Sequence, residues 1–286
     1  MLFIEPHAGV TPVTQFIESA HRTLDINAYL VTDRRVLAAI AATVRRGVRV
    51  RILIDRKPYG GRPRGEVGHL KATGAIVRFA PPRFTGKYRF DHAKYMVSGE
   101  SVEMGSANLT WSAYTKNREY LWTAQQPAVA HALHTVFHAD WRQQAAGPGP
   151  RRVLVLSPGA TPALLRVIGQ PGSVCIESEE MGKDRPILAA LRRKGASAQV
   201  VLPSRLNRYD RKIAGTLAQA GVRVRYLTTP YLHAKLIAGT TAAFIGSENF
   251  TWTSLNRNRE VGILLGQPDA GHLSNQCERD WRAASP

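Results

Sequence analysis

Two histidine–lysine pairs are the residues whose types and spacing most directly indicate chemistry in this chain. His92 stands two positions before Lys94, and His233 stands two positions before Lys235. A neutral imidazole can attack phosphorus without the repulsion that an anionic nucleophile meets, and a protonated imidazole can give its proton to a leaving oxygen. The ammonium groups supply positive charge for the anionic oxygens of the transition state. The pairs therefore predict nucleophilic and acid–base chemistry on a phosphate ester.

Both pairs belong to an internal duplication. The segment that begins at His92 repeats from His233 without a gap, at an offset of 233 − 92 = 141 residues. The shared polar positions are Ser106/Ser247, Asn108/Asn249, Asn117/Asn258, Arg118/Arg259 and Glu119/Glu260. A repeat that served packing alone would keep its apolar positions, yet here these drift, as in Tyr95/Leu236. We infer that the polar set carries the function.

The other polar members of the repeat fit the same chemistry. Asn108 and Asn249 can donate amide hydrogen bonds to phosphate oxygens. Glu119 and Glu260 can each accept a hydrogen bond from a histidine ring nitrogen and so fix the tautomer of the ring. The alternative for each glutamate is an ordinary surface ion pair with the arginine that precedes it. We favour the orienting role.

The sequence around these residues predicts strands and helices that alternate as in an α/β protein. Gly and Pro residues at 145–152 break any helix and mark a join, which predicts two halves, 1–147 and 151–286. In the first half, two apolar runs flank an Ala-rich helix from Arg34 to Arg46, and residues 173–203 repeat that strand–helix–strand order. We expect mixed or parallel sheets covered by helices, with each His and Lys on one face of a strand.

His-x-Lys followed by Gly-Ser-x-Asn resembles the signature of the phospholipase D superfamily. The resemblance covers both halves and is most specific over residues 92–119 and 233–260. It implies two tandem α-β-α sandwich units related by a pseudo-twofold axis, with one site built from both. It also implies a metal-independent phosphodiesterase in which one histidine becomes a phosphohistidine and the other acts as general acid. His92 is the expected nucleophile because the amino-terminal histidine usually has that role in two-signature relatives.

Site residues follow from this resemblance position by position. The implied catalytic residues are His92, Lys94, Asn108, His233, Lys235 and Asn249, supported by Ser106, Ser247, Glu119 and Glu260. The chain departs from the family where an Asp follows the His-x-Lys, because Gly99 and Thr240 stand there. Tyrosyl-DNA phosphodiesterases in the same superfamily lack that Asp, so the departure bears on the subfamily more than on the chemistry.

The substrate is predicted from charge and from the resemblance. Lys and Arg number 39 against 21 Asp and Glu, and the net charge of +18 attracts polyanions. The chain resembles a fused pair of small Nuc-type endonuclease units, so a nuclease acting on DNA or RNA is preferred. The candidate phosphate-binding residues are Arg56, Lys57, Arg62, Arg64, Lys87, Arg89 and Arg208. The alternatives are a phospholipase D or phosphatidyltransferase acting on anionic phospholipid, and a non-catalytic nucleic-acid-binding protein.

Remaining features indicate a chain that works alone. Cys175 and Cys277 are far apart and have no partners at metal-ligand spacing, so we predict neither a disulfide nor a zinc site. A reducing compartment and a cytoplasmic location are expected, with a removed leader as the alternative. No cofactor, metal or obligatory protein partner is expected, and a monomer suffices because both half-sites lie in one chain. His131, His134 and His138 are expected on a partly exposed helix rather than around a metal.

Overall fold

A computed structural model describes residues 1–58 and 65–286. The two predicted halves, 1–147 and 151–286, contain the same succession of strands and helices. The first half contains β1 (Leu2–Glu5), α1 (Thr11–Glu18), β2 (Thr23–Ala28), α2 (Arg34–Arg45), β3 (Arg49–Ile54), α3 (Glu66–Ala72), β4 (Ile76–Phe79), β5 (Tyr95–Ser98), β6 (Ser101–Gly105), α4 (Trp111–Thr115), β7 (Asn117–Gln125) and α5 (Pro127–Trp141).

The second half repeats this order with one additional short strand. It contains β8 (Leu154–Ser157), α6 (Thr161–Ile168), β9 (Val174–Ser178), α7 (Arg185–Lys194), β10 (Ala198–Pro203), α8 (Arg208–Gln219), β11 (Arg223–Leu227), β12 (Tyr231–Leu232), β13 (Lys235–Ala238), β14 (Ala243–Gly246), α9 (Trp252–Asn256), β15 (Glu260–Leu265) and α10 (Asp269–Ala283). The predicted strand–helix–strand units are present in both halves, as β2–α2–β3 and β9–α7–β10.

Local sequence explains where the two crossover helices begin. The Asp33 carboxylate accepts a hydrogen bond from the Arg35 backbone amide at the start of α2. Asp184 caps α7 in the same way, through the amide of Ile187. Such caps satisfy amides that have no partner within the helix. Both helices then turn one apolar stripe onto the sheet beside them.

The two sheets have the same strand order. The first runs β1-β7-β6-β5-β2-β3-β4, and the second runs β8-β15-β14-β13-β9-β10-β11. β2, β3 and β4 are parallel, as are β9, β10 and β11, while the other main neighbours are antiparallel. The predicted α/β class with mixed sheets in two tandem units is therefore confirmed. β12 leaves its own half and pairs with β7 of the first sheet.

Three apolar clusters fill the space between the layers. One lies under α1, α2 and α3 on the outer face of the first sheet, and an equivalent cluster lies under α6, α7 and α8 on the second. The third joins the inner faces of both sheets with α5 and α10, through side chains such as Phe137, Leu236 and Ile263. Because this central cluster draws on both halves, their packing against each other is part of the core.

The prediction that the cysteines are unpaired is wrong. Cys175 on β9 and Cys277 on α10 form a disulfide, with 6.1 Å between their Cα atoms. Sequence spacing concealed the pair, because 102 residues separate the cysteines and only the return of α10 onto β9 brings them together. The expectation of a reducing compartment rested on the absence of a disulfide. This disulfide removes that support, since disulfides persist mainly in oxidising compartments.

Candidate active site

Each histidine lies where the two halves exchange backbone hydrogen bonds. The amide of His92 donates to the carbonyl of Arg259 at 2.8 Å, and the amide of His233 donates to the carbonyl of Arg118 at 3.2 Å. The prediction that each His and Lys share a strand is therefore wrong in detail. β5 begins one residue after Lys94, and β13 begins at Lys235. Both histidines therefore precede their strands, because their backbone amides pair with the other half.

Carboxylates cross between the halves to hold the histidines. Nδ1 of His92 lies 2.9 Å from Oε2 of Glu260, and Nδ1 of His233 lies 2.7 Å from Oε1 of Glu119. All four side chains are buried. Because a carboxylate accepts hydrogen bonds, each contact places a proton on Nδ1. For His92 this leaves Nε2 as the nitrogen that can react. The structure thus joins the predicted orienting glutamates to histidines, each to the histidine of the other half.

Hydroxyl groups in turn hold the two carboxylates. Ser106, a predicted supporting residue, donates from Oγ to Glu119 Oε2 at 2.6 Å. Ser247 differs, because its Oγ lies 3.4 Å from the Val261 carbonyl and accepts from the amide of that residue. In the second half the hydroxyl of Ser254 takes over and donates to Glu260 Oε1 at 2.6 Å. Ser254 was not predicted, and the repeat gave no signal because Ala113 occupies its place in the first half.

The glycine before each of these serines is required by close packing. A Cβ added at Gly105 would lie 2.0 Å from the carbonyl oxygen of Tyr120, and one added at Gly246 would lie 2.6 Å from the Cα of Gly262. Neither position has room for any side chain. The Gly-Ser element therefore allows the strand that carries the glutamate, β7 or β15, to approach the strand that ends in the glycine, β6 or β14, closely.

Both lysines are buried beside the histidines. Lys94 Nζ donates to the carbonyl of His92 at 2.6 Å, and Lys235 Nζ donates to the carbonyl of His233. Burial lowers the pKa of Lys94 to about 7, since desolvation penalises the ammonium. Burial also lowers the pKa of His92 below its ordinary value, which outweighs the opposite effect of Glu260. A neutral imidazole is therefore the main form of His92 at pH 7.

The two predicted asparagines face a cavity of about 730 Å³ between the halves. His92, His233, Asn108 and Asn249 all line it. Both asparagine side chains are buried, and within the described part of the chain their Oδ1 atoms have no hydrogen-bond partner. The structure therefore brings all six predicted catalytic residues to one place, because the two lysines lie directly behind the histidines.

A pair of buried ion pairs ties the halves together behind the site. Arg118 binds both oxygens of Asp280, at 2.6 and 2.9 Å, and Arg259 binds both oxygens of Asp140, at 2.7 and 2.9 Å. The alternative in which these arginines pair with the neighbouring glutamates is therefore wrong. The aspartates belong to the Asp-Trp-Arg that ends each half, at 140–142 and 280–282, which is a repeat visible in the sequence.

Those predicted phosphate-binding cations that the structure describes do not line the cavity. Lys87 and Arg89 flank Tyr88, Arg208 precedes Tyr209, and both tyrosines do line it. Arg56 instead lies over the Phe79 ring at 5.0 Å, in a separate depression, and Lys57 is exposed beside it. Arg62 and Arg64 lie outside the described residues.

The predicted helix with three histidines is α5, and two of its histidines approach a carboxylate. Across residues 1–58 and 65–286, the only three His, Cys, Asp or Glu side chains close enough together to share a cation are Asp25, His134 and His138. The Arg51 guanidinium already binds both oxygens of Asp25 at 2.7 Å and lies 3.1 Å from His138 Nε2. A bound cation would have to displace this guanidinium, so the cluster is an ion-pair network.

Comparison with known proteins identifies the family. The family model described as cardiolipin synthase, PLD-like domain, matches residues 13–141 and 175–281. The chain belongs to the phospholipase D superfamily. Mitochondrial cardiolipin hydrolase of Xenopus laevis is 27% identical over 125 residues, which are 43% of this chain and 57% of that protein. The chain therefore spans little more than half the length of this curated relative.

Two solved structures share the fold over nearly the whole chain. Polyphosphate kinase from Porphyromonas gingivalis superposes with a TM-score of 0.71 at 14% identity, over 97% of this chain and 49% of that one. Phosphatidylserine synthase from Haemophilus influenzae superposes with a TM-score of 0.65 at 13% identity, over 96% and 83%. At such identities the likeness concerns the fold alone. No described helix is long and apolar enough to cross a membrane.

Proposed function

We propose that this phospholipase D superfamily member hydrolyses phosphodiester bonds through a covalent phosphohistidine, at one site built from both halves and without a metal. The crossed pairs His92–Glu260 and His233–Glu119 carry the proposal. Each glutamate fixes its histidine with a proton on Nδ1, as the carboxylate of a catalytic triad does. Since one chain supplies both pairs, a monomer suffices and no protein partner is required.

Ammonium and amide groups complete the proposed site. Lys94 and Lys235 lie behind the histidines and supply positive charge, and Asn108 and Asn249 face the cavity with their amides. Donors fixed in advance around the phosphoryl oxygens stabilise a transition state without reorganisation. These charges can do for the transferred phosphoryl group what a metal ion does in other phosphodiesterases.

For the substrate we propose nucleic acid. Exposed aromatic side chains line the cavity, namely Tyr88, Tyr209, Tyr231 and Trp252. Bases of a single strand stack on such side chains whatever their sequence, and the net charge of +18 favours a polyanion. Lys87, Arg89 and Arg208 adjoin two of these aromatics and are placed to contact phosphates outside the cavity. Binding should therefore be salt-sensitive and depend little on sequence.

A phospholipid is the second candidate substrate. The matched family model carries the name of cardiolipin synthase, and the Xenopus relative is a cardiolipin hydrolase. A strongly cationic protein is also attracted to anionic membrane surfaces. Hydrolysis and transfer to an alcohol share the first half of the mechanism and differ in the group that attacks the phosphohistidine.

One experiment tests both the chemistry and the substrate. Purified protein is incubated in EDTA with single-stranded DNA or RNA and, separately, with vesicles that contain phosphatidylcholine and cardiolipin. We expect cleavage of nucleic acid in EDTA and its loss in His92→Ala and His233→Ala, which serve as matched controls. Lipid turnover with intact nucleic acid would replace the first candidate with the second. Activity that EDTA abolishes and a divalent metal restores would contradict the metal-independent mechanism.

A further inference from the structure

One fold position beside the histidines differs in charge between the two halves. Tyr29 and Glu179 each stand two residues before an equivalent β-bridge, formed by Val31 in the first half and by Met181 in the second. The first half therefore has a phenol at this position and the second half has a carboxylate. The histidines, lysines, asparagines and orienting glutamates are matched between the halves, so this difference in charge can distinguish the two histidines.

The surroundings of His92 are neutral overall. Its Nδ1 contacts Glu260 and, at 3.2 Å, the Ser247 carbonyl, both of which accept hydrogen bonds. The ring edge meets Tyr29, with 4.7 Å between centroids. The carboxylate of Glu260 and the ammonium of Lys94 balance each other in charge. A neutral imidazole completes an uncharged buried group, which is the arrangement that desolvation favours.

The surroundings of His233 carry one net negative charge. Nδ1 meets Glu119, and Nε2 lies 3.3 Å from Oε2 of Glu179. Lys235 Nζ lies 2.9 Å from the same Glu179 oxygen, and 3.3 and 3.5 Å from the two ring nitrogens. The Tyr231 hydroxyl lies 3.4 Å from the other oxygen of Glu179. Two carboxylates and one ammonium are balanced by an imidazolium, the only form of the ring with a hydrogen on each nitrogen.

We propose that Glu179 is a positioning residue that holds His233 as the protonated general acid and thereby assigns the attack to His92. The assignment rests on the proposed phosphohistidine chemistry. Tyr29 places no charge at the equivalent position, so His92 keeps a free electron pair on Nε2. The difference in charge between Tyr29 and Glu179 thus gives the two histidines different roles.

The reaction then balances in two steps. His92 Nε2 attacks phosphorus and forms a P–N bond as the bond to the leaving oxygen breaks, and the Nε2 proton of His233 passes to that oxygen. Water then attacks phosphorus and gives a proton to His233 Nε2, and the P–N bond breaks with its electron pair returning to His92. Burial raises the pKa of Glu179, but His233 and Lys235 outweigh burial and hold it far below its ordinary range. Glu179 therefore stays ionised throughout.

A leaving-group comparison tests this role. Methyl p-nitrophenyl phosphate releases a phenolate that leaves without a proton, whereas methyl phenyl phosphate needs a general acid. In Glu179→Gln we expect kcat/KM to fall at least about tenfold for the phenyl ester and less than about threefold for the nitrophenyl ester. Glu180→Gln is the matched control and should keep the wild-type ratio of the two rates. Equal losses on both esters in Glu179→Gln would overturn the assignment.

Two further measurements separate this assignment from the proposed function. In His233→Ala, peptide mass spectrometry of protein quenched with the nitrophenyl ester should find the phosphoryl adduct on His92. An adduct on His233 in His92→Ala would reverse the roles. Without substrate, nitrogen-15 NMR should show His233 protonated on both nitrogens at pH 7 in the wild type and not in Glu179→Gln. A singly protonated ring in the wild type would overturn the role of Glu179, whereas failure to cleave any ester in EDTA would refute the proposed function itself.

Discussion

Glu119 of the first half and His233 of the second are joined by a 2.7 Å contact, and Glu260 holds His92 reciprocally at 2.9 Å. Neither half can therefore build an oriented histidine alone. The exchange explains how a duplicated unit yields one site: each copy supplies a histidine to one pair and a carboxylate to the other. In each histidine–glutamate pair, the two side chains come from different halves of the chain.

Glu119→Gln should strongly reduce turnover while leaving the fold intact. The amide keeps the size of the side chain but carries no charge, so it holds the His233 ring less firmly and no longer fixes its orientation. We expect kcat to fall by roughly 10²- to 10⁴-fold, as when a triad carboxylate becomes an amide. Steady-state kinetics on methyl phenyl phosphate, whose leaving group needs the proton of His233, measures the effect.

Glu103→Gln is the matched control for this substitution. Glu103 is another buried carboxyl of the first half, and burial raises its pKa to about 8, so it is already neutral at pH 7. Its activity should stay near that of the wild type. A comparable loss of activity in both variants would show that the orienting contact is not the cause.

The pH dependence of kcat/KM should be bell-shaped. Attack requires neutral His92, whose pKa is lowered by burial, so the acid limb should lie below pH 6.5. Stabilisation of the phosphoryl oxygens requires the charged form of Lys94. Because burial lowers the pKa of Lys94 to about 7, the rate should fall as pH rises through about 7. Methyl p-nitrophenyl phosphate isolates this alkaline limb, since its leaving group needs no proton from His233. A flat profile from about pH 5 to about pH 8 would contradict both assignments.

The repeat made most of the site predictable, because the same polar identities recur at one offset. It placed His92 and His233 in one site and marked Glu119 and Glu260 as their orienting partners. It could not show that the partners cross between halves, since a sequence repeat does not reveal which copy meets which. The exchange follows from two short backbone pairings between the halves, Leu232 with Arg118 and Asp91 with Arg259, which carry almost no sequence signal.

Contacts made at long range explain the other differences. Cys175 meets Cys277 only because α10 folds back onto β9, and no local pattern encodes that return. The contact between Arg118 and Asp280 is likewise made at long range and has no local pattern, although the sequence repeats Asp-Trp-Arg at the end of each half. Glu179 was not predicted because the duplication draws attention to identities, whereas this residue matters through its difference from Tyr29.

Asp280→Ala should destabilise the fold strongly. It would leave the Arg118 guanidinium buried without its carboxylate, and loss of one partner of a buried pair costs about 3 to 5 kcal/mol. Urea unfolding measures the change. Arg35→Ala is the control, because the Arg35–Asp33 pair has one partner 51% exposed and should contribute less than about 1 kcal/mol. Equal losses would show that the buried pair does not secure the junction of the halves.

Removal of the disulfide should lower the free energy of unfolding without altering the chemistry. With a sequence separation of 102 between Cys175 and Cys277, loop closure predicts a contribution of roughly 4 to 5 kcal/mol. The Cys175→Ala, Cys277→Ala double variant should lose stability by about that amount and keep kcat near the wild-type value. Intact mass under non-reducing and reducing conditions establishes whether the bond forms. Equal stability of the oxidised and reduced protein would contradict a structural role.

Trp252→Ala should weaken binding of single-stranded nucleic acid. Trp252 is 47% exposed and lines the cavity, so a base can stack on its indole. Loss of one stacked base costs about 1 to 3 kcal/mol, and fluorescence anisotropy with a labelled oligonucleotide measures the change in Kd. The repeat offers an internal control in Trp111, which is 53% exposed at the equivalent position and does not line the described cavity. Trp111→Ala should leave Kd unchanged within about twofold. Equal weakening in both variants would show that the nucleic acid contacts the protein outside the cavity, and no weakening in either would favour the phospholipid candidate.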